Sequence, residues 1–306
     1  MTFSEIITQA VAELKSKNID TPALDASLLL AHVLKIDRTA LLAMGAETAA
    51  EEVLSAFRKI LNRRLNGECI AYIVEKKEFW GLDFFVNNSV LVPRPDTEIL
   101  LQKGKELLSS IDKSNINLSK VNEEGTKRKI KALELCTGSG AIAVSLKKEM
   151  PDIEIYATDI SVDALNVAKI NANNLLPAHS NITFFQGDLY NALPSNFSSL
   201  PFANFYLIIA NPPYISTDKI KTLQKEVQHE PLIALDGGQS GLEIITRIIE
   251  GAPNYLQCGG YLLMEADPRQ METIFQLLEN KGFIDIQLHK DLSGQNRVIG
   301  GRYEND

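Results

Sequence analysis

The 306-residue sequence has few of the residues that build disulfide-stapled, metal-bound or membrane-spanning proteins. Its three cysteines, Cys69, Cys136 and Cys258, are an odd number at wide spacing without a Cys-x-x-Cys pair, and its four histidines are scattered. This pattern argues against a disulfide framework and against a metal site. No stretch approaches the roughly 18 apolar residues of a membrane span, and the N-terminus lacks the apolar core of a signal peptide. We therefore expect a soluble cytoplasmic protein that holds no metal.

The sequence also lacks an excess of positive charge. Its formal net charge is -8, and residues 1–92 contain 10 Lys and Arg against 12 Asp and Glu. Proteins that bind nucleic acid by neutralising phosphates carry clustered Lys and Arg, so this balance argues against nucleic acid as a direct partner. The basic pairs Arg58-Lys59 and Arg63-Arg64 are expected on solvated helix faces, where they are also open to a protein partner.

The apolar content is sufficient for one large core and a small one, because 45% of the residues are hydrophobic. The first 75 residues contain three segments with apolar residues at helical spacing: "FSEIITQAVAELKSK", "TPALDASLLLAHVLK" and "TAAEEVLSAFRKILNRRL". The last ends at the stop signal Asn66-Gly67. Residues 1–75 are therefore predicted to form a small helical N-terminal domain.

Residues 76–129 are predicted to connect two domains. The segment "EFWGLDFFVNNSVLVPRPDTE" has two aromatic or β-branched runs on either side of Asn87-Asn88, which predicts a β-hairpin with its turn at these asparagines. A helix is expected over "DTEILLQKGKELLSS". The next segment, "IDKSNINLSKVNEEGTKRK", is polar and nearly free of large apolar residues, which is typical of a linker.

From Ile130 onward, apolar strands alternate with helices. This alternation predicts an α/β domain over residues 130–306, with a doubly wound parallel sheet. The last two strands are separated by only a short link, so we expect an antiparallel hairpin at one edge. The predicted strands are residues 130–136, 153–159, 182–188, 205–211, 260–266, 283–290 and 296–302.

Polar residues follow the first three of these strands. Gly138 and Gly140 lie in a strand-turn-helix segment, and Asp159 ends the next strand about 20 residues later, where a carboxylate binds ribose hydroxyls. Asp188 ends the third strand, where it can accept from an adenine amino group beside the apolar Leu189. Such strand ends share one crevice, which indicates a nucleotide-like cofactor. The two glycines alone are also compatible with an ordinary tight turn.

The fourth strand ends in "NPPY", Asn211 to Tyr214. Pro212 and Pro213 stiffen the backbone, so the Asn211 side-chain carbonyl and a main-chain carbonyl can be held as two acceptors for one NH2 group. Tyr214 is expected to form a wall for a planar group. The alternative is a Pro-rich loop that merely leaves a buried strand.

Together these motifs resemble class I S-adenosylmethionine-dependent methyltransferases, and specifically the peptide chain release factor glutamine-N5 methyltransferase family. "NPPY" alone is shared with adenine-N6 methyltransferases, whereas its combination with "EFWGL" and "VPRPDTE" is far more specific. The motifs that carry the resemblance are Glu78 to Leu82, Val92 to Glu98, Thr137 to Ala143, Asn211 to Ile215 and Glu230 to Leu235.

The resemblance implies a seven-stranded Rossmann-like methyltransferase sheet, joined by the β-hairpin to an N-terminal domain that recognises the substrate. It implies a monomer that methylates the glutamine of the Gly-Gly-Gln motif in class 1 release factors, converting S-adenosyl-L-methionine to S-adenosyl-L-homocysteine and supporting translation termination. The substrate amide would lie at Asn211, Pro212, Pro213 and Tyr214. The ribose of the cofactor would contact Asp159, its adenine would contact Asp188 and Leu189, and its reacting group would lie near Asn211. Its methionine moiety would contact the residues of the first loop: Glu134, Cys136, Thr137, Gly138, Ser139 and Gly140.

Two positions depart from the family pattern, which usually has an Asp where this chain has Glu134 and a Gly where it has Cys136. A cysteine is expected to require ordinary backbone angles there and to pack as a small apolar residue. No role is assigned to Glu265 in "MEADPRQ". Arg94 and Glu98 either line the substrate entrance or brace the loop, and Trp80 is expected to anchor the hairpin.

Two other functions remain open at this stage. An adenine-N6 methyltransferase of nucleic acids shares "NPPY", but it would need a basic recognition region and a flipped base. A non-catalytic protein-binding module could retain an old cofactor fold, and cofactor binding without methyl transfer would identify it.

Overall fold

The computed structural model describes residues 1–111, 129–194 and 205–304. Contacts divide the chain into two units. The first contains Met1–Lys76, Val86–Asn88 and Leu223–His229, and the second contains Lys77–Phe85, Ser89–Thr222 and Glu230–Asp306. Most of the predicted polar linker lies outside the described residues. Within the described residues, no helix is long and apolar enough to cross a membrane.

The N-terminal part of the first unit is helical, as predicted. Thr2 caps its first helix, because its side chain accepts from the Glu5 N–H while its own N–H donates to the Glu5 carboxylate. Two short helices were not predicted, since five or six residues are too few to show a helical apolar period. The helices are α1 (Phe3–Ser16), α2 (Pro22–Leu34), α3 (Arg38–Ala43), α4 (Glu51–Leu65) and α5 (Ile70–Val74).

The apolar faces of these helices form a separate core. Leu14 of α1, Leu29 and Leu30 of α2, and Leu61 of α4 are fully buried within it. Helix α2 contacts α1, α3, α4 and α5, so it lies at the centre of this unit. The central position explains why α2 is apolar around most of its circumference instead of along one stripe.

Arg64 is buried in this unit, so the expectation of a solvated face was wrong for this residue. Its side chain is only 2% exposed. Its Nε donates to Asp25 at 2.6 Å, its Nη1 donates to the Glu68 carbonyl at 3.0 Å, and its Nη2 donates to Glu226. A buried guanidinium is stable only with such partners, and Asp25 and Glu226 are far from it in sequence.

The hairpin of the second unit turns at a different place from the one predicted. Strands β1 (Lys77–Phe79) and β2 (Leu82–Phe84) pair antiparallel around Trp80 and Gly81, not around Asn87-Asn88. Both turn residues have positive φ, 54° for Trp80 and 71° for Gly81, as a two-residue type I′ turn requires. The Trp80 N–H donates to Glu98 at 3.0 Å, which holds the first turn residue in this unusual conformation. The prediction failed because tryptophan is not a turn signal, whereas Asn-Asn is.

A seven-stranded sheet forms the centre of the second unit, which confirms the predicted fold class. The strand order is β5-β4-β3-β6-β7-β9-β8. The first five are parallel, and β9 is antiparallel to both β7 and β8, so the predicted hairpin closes one edge. The strands are β3 (Lys131–Leu135), β4 (Glu154–Asp159), β5 (Ile182–Gln186), β6 (Phe205–Ala210), β7 (Leu256–Glu265), β8 (Phe283–Lys290) and β9 (Asn296–Tyr303).

Helices contact this sheet and bury its apolar side chains. Helix α6 contacts β6 and β7, α8 contacts β4 and β5, and α12 contacts β8 and β9. Strand order reverses between β3 and β6, and ligands of doubly wound sheets bind at such a switch point. The remaining helices are α6 (Thr97–Ser109), α7 (Ala141–Glu149), α8 (Val162–Leu175), α9 (Thr217–Ile220), α10 (Lys225–Gln228), α11 (Glu243–Gly251) and α12 (Met271–Asn280).

The loop between β3 and α7 begins with an unusual backbone conformation at Cys136. Its φ is 58°, in the left-handed region, so the expectation of ordinary backbone angles was wrong. The loop must reverse direction directly after β3, and this reversal sets the dihedral angles whatever residue is present. A side chain with a Cβ is strained in this region, by about 1–2 kcal/mol.

We expect Asp25→Ala to lower the free energy of unfolding by about 3 kcal/mol, because Arg64 would remain buried without its fully buried carboxylate partner. Chemical denaturation of the full chain measures this change. The control is Glu13→Ala, which removes an ion pair to Arg58 whose two side chains are 50% and 38% exposed. That change should cost less than about 1 kcal/mol. Equal losses in the two variants would contradict a stabilising role for the buried pair.

Cys136→Gly is expected to stabilise the protein by about 1 kcal/mol relative to Cys136→Ala, since only glycine removes the Cβ strain. Both variants lose the sulfur, so the comparison isolates the backbone effect. Thermal and denaturant unfolding of the two variants provide the measurement. If the alanine variant proved at least as stable, the left-handed conformation would not be a source of strain.

Candidate active site

A cavity of about 250 Å³ lies at the carboxyl ends of the parallel strands of the second unit. It is lined by residues that follow β3, β4, β5 and β6, together with residues of the loop before α6. Of the predicted site residues, Gly140, Pro212 and Tyr214 are not part of its lining. Those that line it are Glu134, Cys136, Thr137, Gly138, Ser139, Asp159, Asp188, Leu189, Asn211 and Pro213.

The two predicted glycines do different things. Gly138 has φ of 54°, and a Cβ added there would meet no atom within 4 Å, so its surroundings leave room for a ligand. Gly140 has φ of 77° and precedes α7, and a Cβ there would lie 3.1 Å from the Ala168 Cβ on α8. Gly138 thus opens the loop towards the cavity, whereas Gly140 permits the close approach of two helices.

Asp159 connects the ends of two neighbouring strands. Its Oδ2 accepts from the Gly138 N–H at 2.8 Å, and its Oδ1 accepts from the Ser161 N–H at 2.9 Å. Burial raises the pKa of Asp159, although these backbone donors oppose that effect. Since each oxygen has a further lone pair and the residue lines the cavity, Asp159 can also accept from a ligand hydroxyl.

Glu134 is a buried acid in contact with the loop between β3 and α7. Its Oε2 accepts from the Thr137 hydroxyl at 2.6 Å and from the Ala143 N–H at 3.0 Å. Burial raises the pKa of Glu134 to about 8, more than these hydrogen bonds lower it. The carboxyl therefore fastens the loop to the start of α7 and holds a proton at neutral pH.

Asp188 has a partner that the sequence analysis did not find. Arg247 of α11 donates to its carboxylate at 2.5 Å, and both side chains are more than 40% exposed. Leu189, the next residue, is buried with φ of 51°. Arg247 lies 59 residues away on a helix, and no local pattern predicts this pairing. The ion pair orients Asp188 at the edge of the cavity.

Asn171 on α8 is a second residue that sequence analysis missed. Its side chain accepts from the Phe85 N–H at 2.7 Å, and its amide donates to the Phe85 and Ser139 carbonyls at 2.9 Å. It is 1% exposed, so water does not compete for these bonds. Asn171 thus connects the segment after β2 to the Gly138 loop.

Two buried residues, Thr97 and Glu265, hold the "NPPY" segment through hydrogen bonds. The Asn211 Nδ2 donates to the Thr97 hydroxyl at 3.1 Å, and the Thr97 hydroxyl donates to Glu265 at 2.7 Å. The Tyr214 hydroxyl donates to the other oxygen of Glu265 at 3.2 Å. Burial raises the pKa values of both Tyr214 and Glu265. Glu265, to which sequence analysis assigned no role, therefore holds three elements together.

Arg94 and Glu98 brace the surrounding loop and do not line the cavity. Arg94 forms an ion pair with the buried Glu230, which also accepts from the Val92 N–H at 3.1 Å. Glu98 accepts from the Trp80 N–H in the hairpin. Burial raises the pKa of the Cys136 thiol far above its usual range, which disfavours the thiolate form that a nucleophile requires.

Thr158 is among the residues that line the cavity, but its hydroxyl oxygen is not accessible from it. It is buried at the end of β4, and it has no hydrogen-bond partner among the residues that the structure describes. With Asp159, Asp188 and the apolar Leu189 also in the lining, the residues fit a nucleoside with a polar tail.

Glu134→Gln is expected to change how stability depends on pH. The ordinary pKa of the acid is 4.5 and its folded value is about 8, so between these values the folded protein keeps a proton that the unfolded chain releases. The wild type therefore loses stability as pH rises through this window, whereas the amide does not. Relative to wild type, the variant should gain roughly 2 kcal/mol between about pH 5.5 and about pH 7.5. Denaturant unfolding at the two pH values measures this gain, and parallel profiles would contradict a buried, protonated Glu134.

Two family models match the chain. The "PrmC N-terminal domain" matches residues 5–74, and the "Methyltransferase small domain" matches residues 109–235. A "Crystal structure of Methyltransferase from Pyrococcus furiosus" covers 80% of this chain and 98% of its own, with a TM-score of 0.50 and 17% identity. This likeness concerns the fold alone.

Two curated relatives match over nearly the full length. The "Release factor glutamine methyltransferase" of Escherichia coli is 35% identical over 303 residues, which cover 99% of each chain. The protein of the same description from Clostridium acetobutylicum is 34% identical over 300 residues, which cover 98% of each. Similarity of this extent and level identifies the family, and it includes the helical region as well as the sheet. The chain therefore belongs to the release factor glutamine methyltransferase family.

Proposed function

We propose that this protein methylates the side-chain amide nitrogen, N5, of the glutamine in the Gly-Gly-Gln motif of class 1 release factors, and so supports translation termination. The observation that carries the proposal is the oriented carboxamide of Asn211, which borders a cavity built by the Gly138 loop and Asp159. Full-length similarity to release factor glutamine methyltransferases supports the choice of substrate.

In this proposal the cavity binds S-adenosyl-L-methionine, which supplies an electrophilic methyl group. Asp159 accepts from the ribose hydroxyls, and Asp188 and Leu189 contact the adenine. The loop from Glu134 to Gly140 contacts the methionine moiety.

Asn211 and the backbone of Pro212 and Pro213 position the substrate amide. The lone pair of an amide nitrogen is delocalised, so the nitrogen is a weak nucleophile. Two carbonyl acceptors that hold both of its N–H bonds turn the nitrogen towards the methyl group and favour the positive charge that develops there. The N–CH3 bond would form as the S–CH3 bond breaks, S-adenosyl-L-homocysteine would leave, and the nitrogen would release one proton to solvent. No covalent enzyme intermediate would form.

We assign recognition of the release factor to the helical region at residues 1–75. The match of residues 5–74 to the "PrmC N-terminal domain" model supports treating this region as a domain with its own role. Its acidic balance also favours a protein over a nucleic acid as the partner. The division into residues 1–75, 76–129 and 130–306 remains part of this proposal.

The deciding experiment is transfer of labelled methyl from S-adenosylmethionine to a purified class 1 release factor. A copy with the Gly-Gly-Gln glutamine replaced and an unmodified DNA duplex serve as parallel acceptors. Label on the intact factor alone supports the proposal. Label on DNA would indicate an adenine-N6 methyltransferase instead, and cofactor binding with no transfer would indicate a non-catalytic module.

Substitutions at Asn211 and Asp159 should affect different steps. Asn211→Ala removes an acceptor that acts on the reacting amide, so we expect kcat to fall roughly 100-fold. The Kd for the cofactor should change less than about threefold in this variant, since cofactor hydroxyls bind elsewhere. Asp159→Ala should instead raise the cofactor Kd by about tenfold or more. Calorimetry and initial rates separate these effects, and equal loss of binding and turnover in Asn211→Ala would overturn its assigned role.

A further inference from the structure

The Asn211 carboxamide is held at one end by a chain of hydrogen bonds that crosses three elements. Asn211 follows β6, Thr97 is the first residue of α6, and Glu265 is the last residue of β7. The bonds run from Asn211 Nδ2 to Thr97 Oγ1 at 3.1 Å, and from Thr97 Oγ1 to Glu265 Oε2 at 2.7 Å. No step of the proposed reaction uses Thr97 or Glu265, so the reaction alone does not explain why these hydrogen bonds are present.

A hydroxyl group has only one hydrogen, and this decides which atom donates and which accepts in each of these hydrogen bonds. A carboxylate only accepts, so the Thr97 hydrogen is committed to Glu265. The Thr97 oxygen can then only accept from Asn211, and only the Nδ2 side of the carboxamide can donate. A carboxamide turned by 180° would place its carbonyl oxygen against the lone pairs of the hydroxyl. Asn211 is therefore restricted to one of its two orientations.

Burial makes this restriction effective. Thr97 is 4% exposed and Glu265 is 2% exposed, so bulk water cannot replace either bond. Tyr214 donates to the second oxygen of Glu265 at 3.2 Å and thereby fixes the plane of the carboxylate. Burial raises the pKa of Glu265, donation by Thr97 and Tyr214 and the charge of Arg297 offset part of that rise, and each Glu265 oxygen accepts from one hydroxyl.

We propose that Thr97 and Glu265 are positioning residues that fix the Asn211 carboxamide with its Oδ1 towards the substrate amide. With Nδ2 committed to Thr97, Oδ1 is the atom left to accept from the glutamine NH2 group. In the opposite orientation, Nδ2 would face that NH2 group, and two donors would repel each other. This inference rests on the proposed glutamine methylation, and it adds the two residues that make Asn211 an acceptor.

The test compares Thr97→Val, which keeps the shape but removes the hydroxyl, with Thr97→Ser, which keeps the hydroxyl. Thr97→Val should lower kcat by about tenfold with the cofactor Kd close to wild type, and it should lower the melting temperature, because Glu265 and Asn211 each lose a hydrogen-bond partner. Thr97→Ser should recover most of the lost turnover. If both variants lost turnover equally, the hydroxyl would not be the group that matters and the inference would be wrong.

A double-mutant cycle separates positioning of Asn211 from any independent effect of Thr97. In the Asn211→Ala background there is no carboxamide to orient, so adding Thr97→Val should change the residual kcat less than about twofold. A loss as large as that seen in the wild-type background would overturn the inference. Glu265→Gln should resemble Thr97→Val, because its amide can donate to Thr97 and free the hydroxyl hydrogen for the Asn211 carbonyl.

A readout without turnover keeps this inference separate from the proposed function. The side-chain NH2 of Asn211, assigned in ¹H–¹⁵N spectra by its loss in Asn211→Ala, should exchange slowly with solvent in the wild type and in Thr97→Ser. It should exchange at least about tenfold faster in Thr97→Val. If the wild type fails to methylate a release factor but shows this pattern, the proposed function is wrong and the orientation of Asn211 stands. If exchange is the same in all three proteins, the positioning role is refuted.

Discussion

Side-chain carboxyl groups that accept hydrogen bonds from backbone N–H groups hold the candidate site in place. Where parallel strands end, the next backbone amides leave the sheet and lose their ladder partners. Here Asp159 accepts from Gly138 and Ser161, Glu134 accepts from Ala143, and Glu230 accepts from Val92. Each bond connects two segments that are separate in the fold or turns a loop back on itself. The loops around the cavity keep their shape because these carboxyl groups, buried at Glu134 and Glu230 and half-buried at Asp159, accept from their backbone N–H groups.

The same arrangement costs free energy, because it places several acidic side chains where their charged forms are poorly solvated. Burial raises the pKa values of Glu134, Asp159 and Glu265, which shows that the fold places several acids where their charged forms are poorly solvated. Functional sites often carry such perturbed groups. In this protein the perturbed acids act mainly on the protein's own backbone and hydroxyl groups. Asn211, which is neutral, lines the cavity together with Asp159 and Asp188.

The sheet and the strand-end residues were predictable because their signals are local. The apolar runs before Asp159 and Asn211 are long enough to identify each strand, and the residue directly after a strand must lie at the carboxyl edge. The hairpin turn and the Cys136 backbone were predicted incorrectly, since residue type suggested conformations that surrounding contacts override. Trp80 turns because Glu98 holds its N–H, and Cys136 turns because the loop reverses there.

Thr97, Glu265, Asn171 and Arg247 could not be assigned from sequence for another reason. Each acts through a partner that is remote along the chain: Thr97 meets Asn211 across 114 residues, and Asn171 meets Phe85 across 86. Threonine, asparagine and arginine are also common on helices for unrelated reasons. Only the fold shows that their polar atoms converge, and such convergence is what distinguishes them from other residues of the same type.

The ion pairs of Arg64 have a consequence for the order in which the newly made chain can fold. Asp25 precedes Arg64, but Glu226 follows it by 162 residues. During synthesis the N-terminal helices leave the ribosome long before Glu226 does, and domains tend to fold as they emerge. A nascent chain therefore carries a guanidinium with one of its two carboxylates until more than two thirds of the protein has been made. Complete burial of this charge is a late event in biosynthesis, although Arg64 itself belongs to the first helices that are translated.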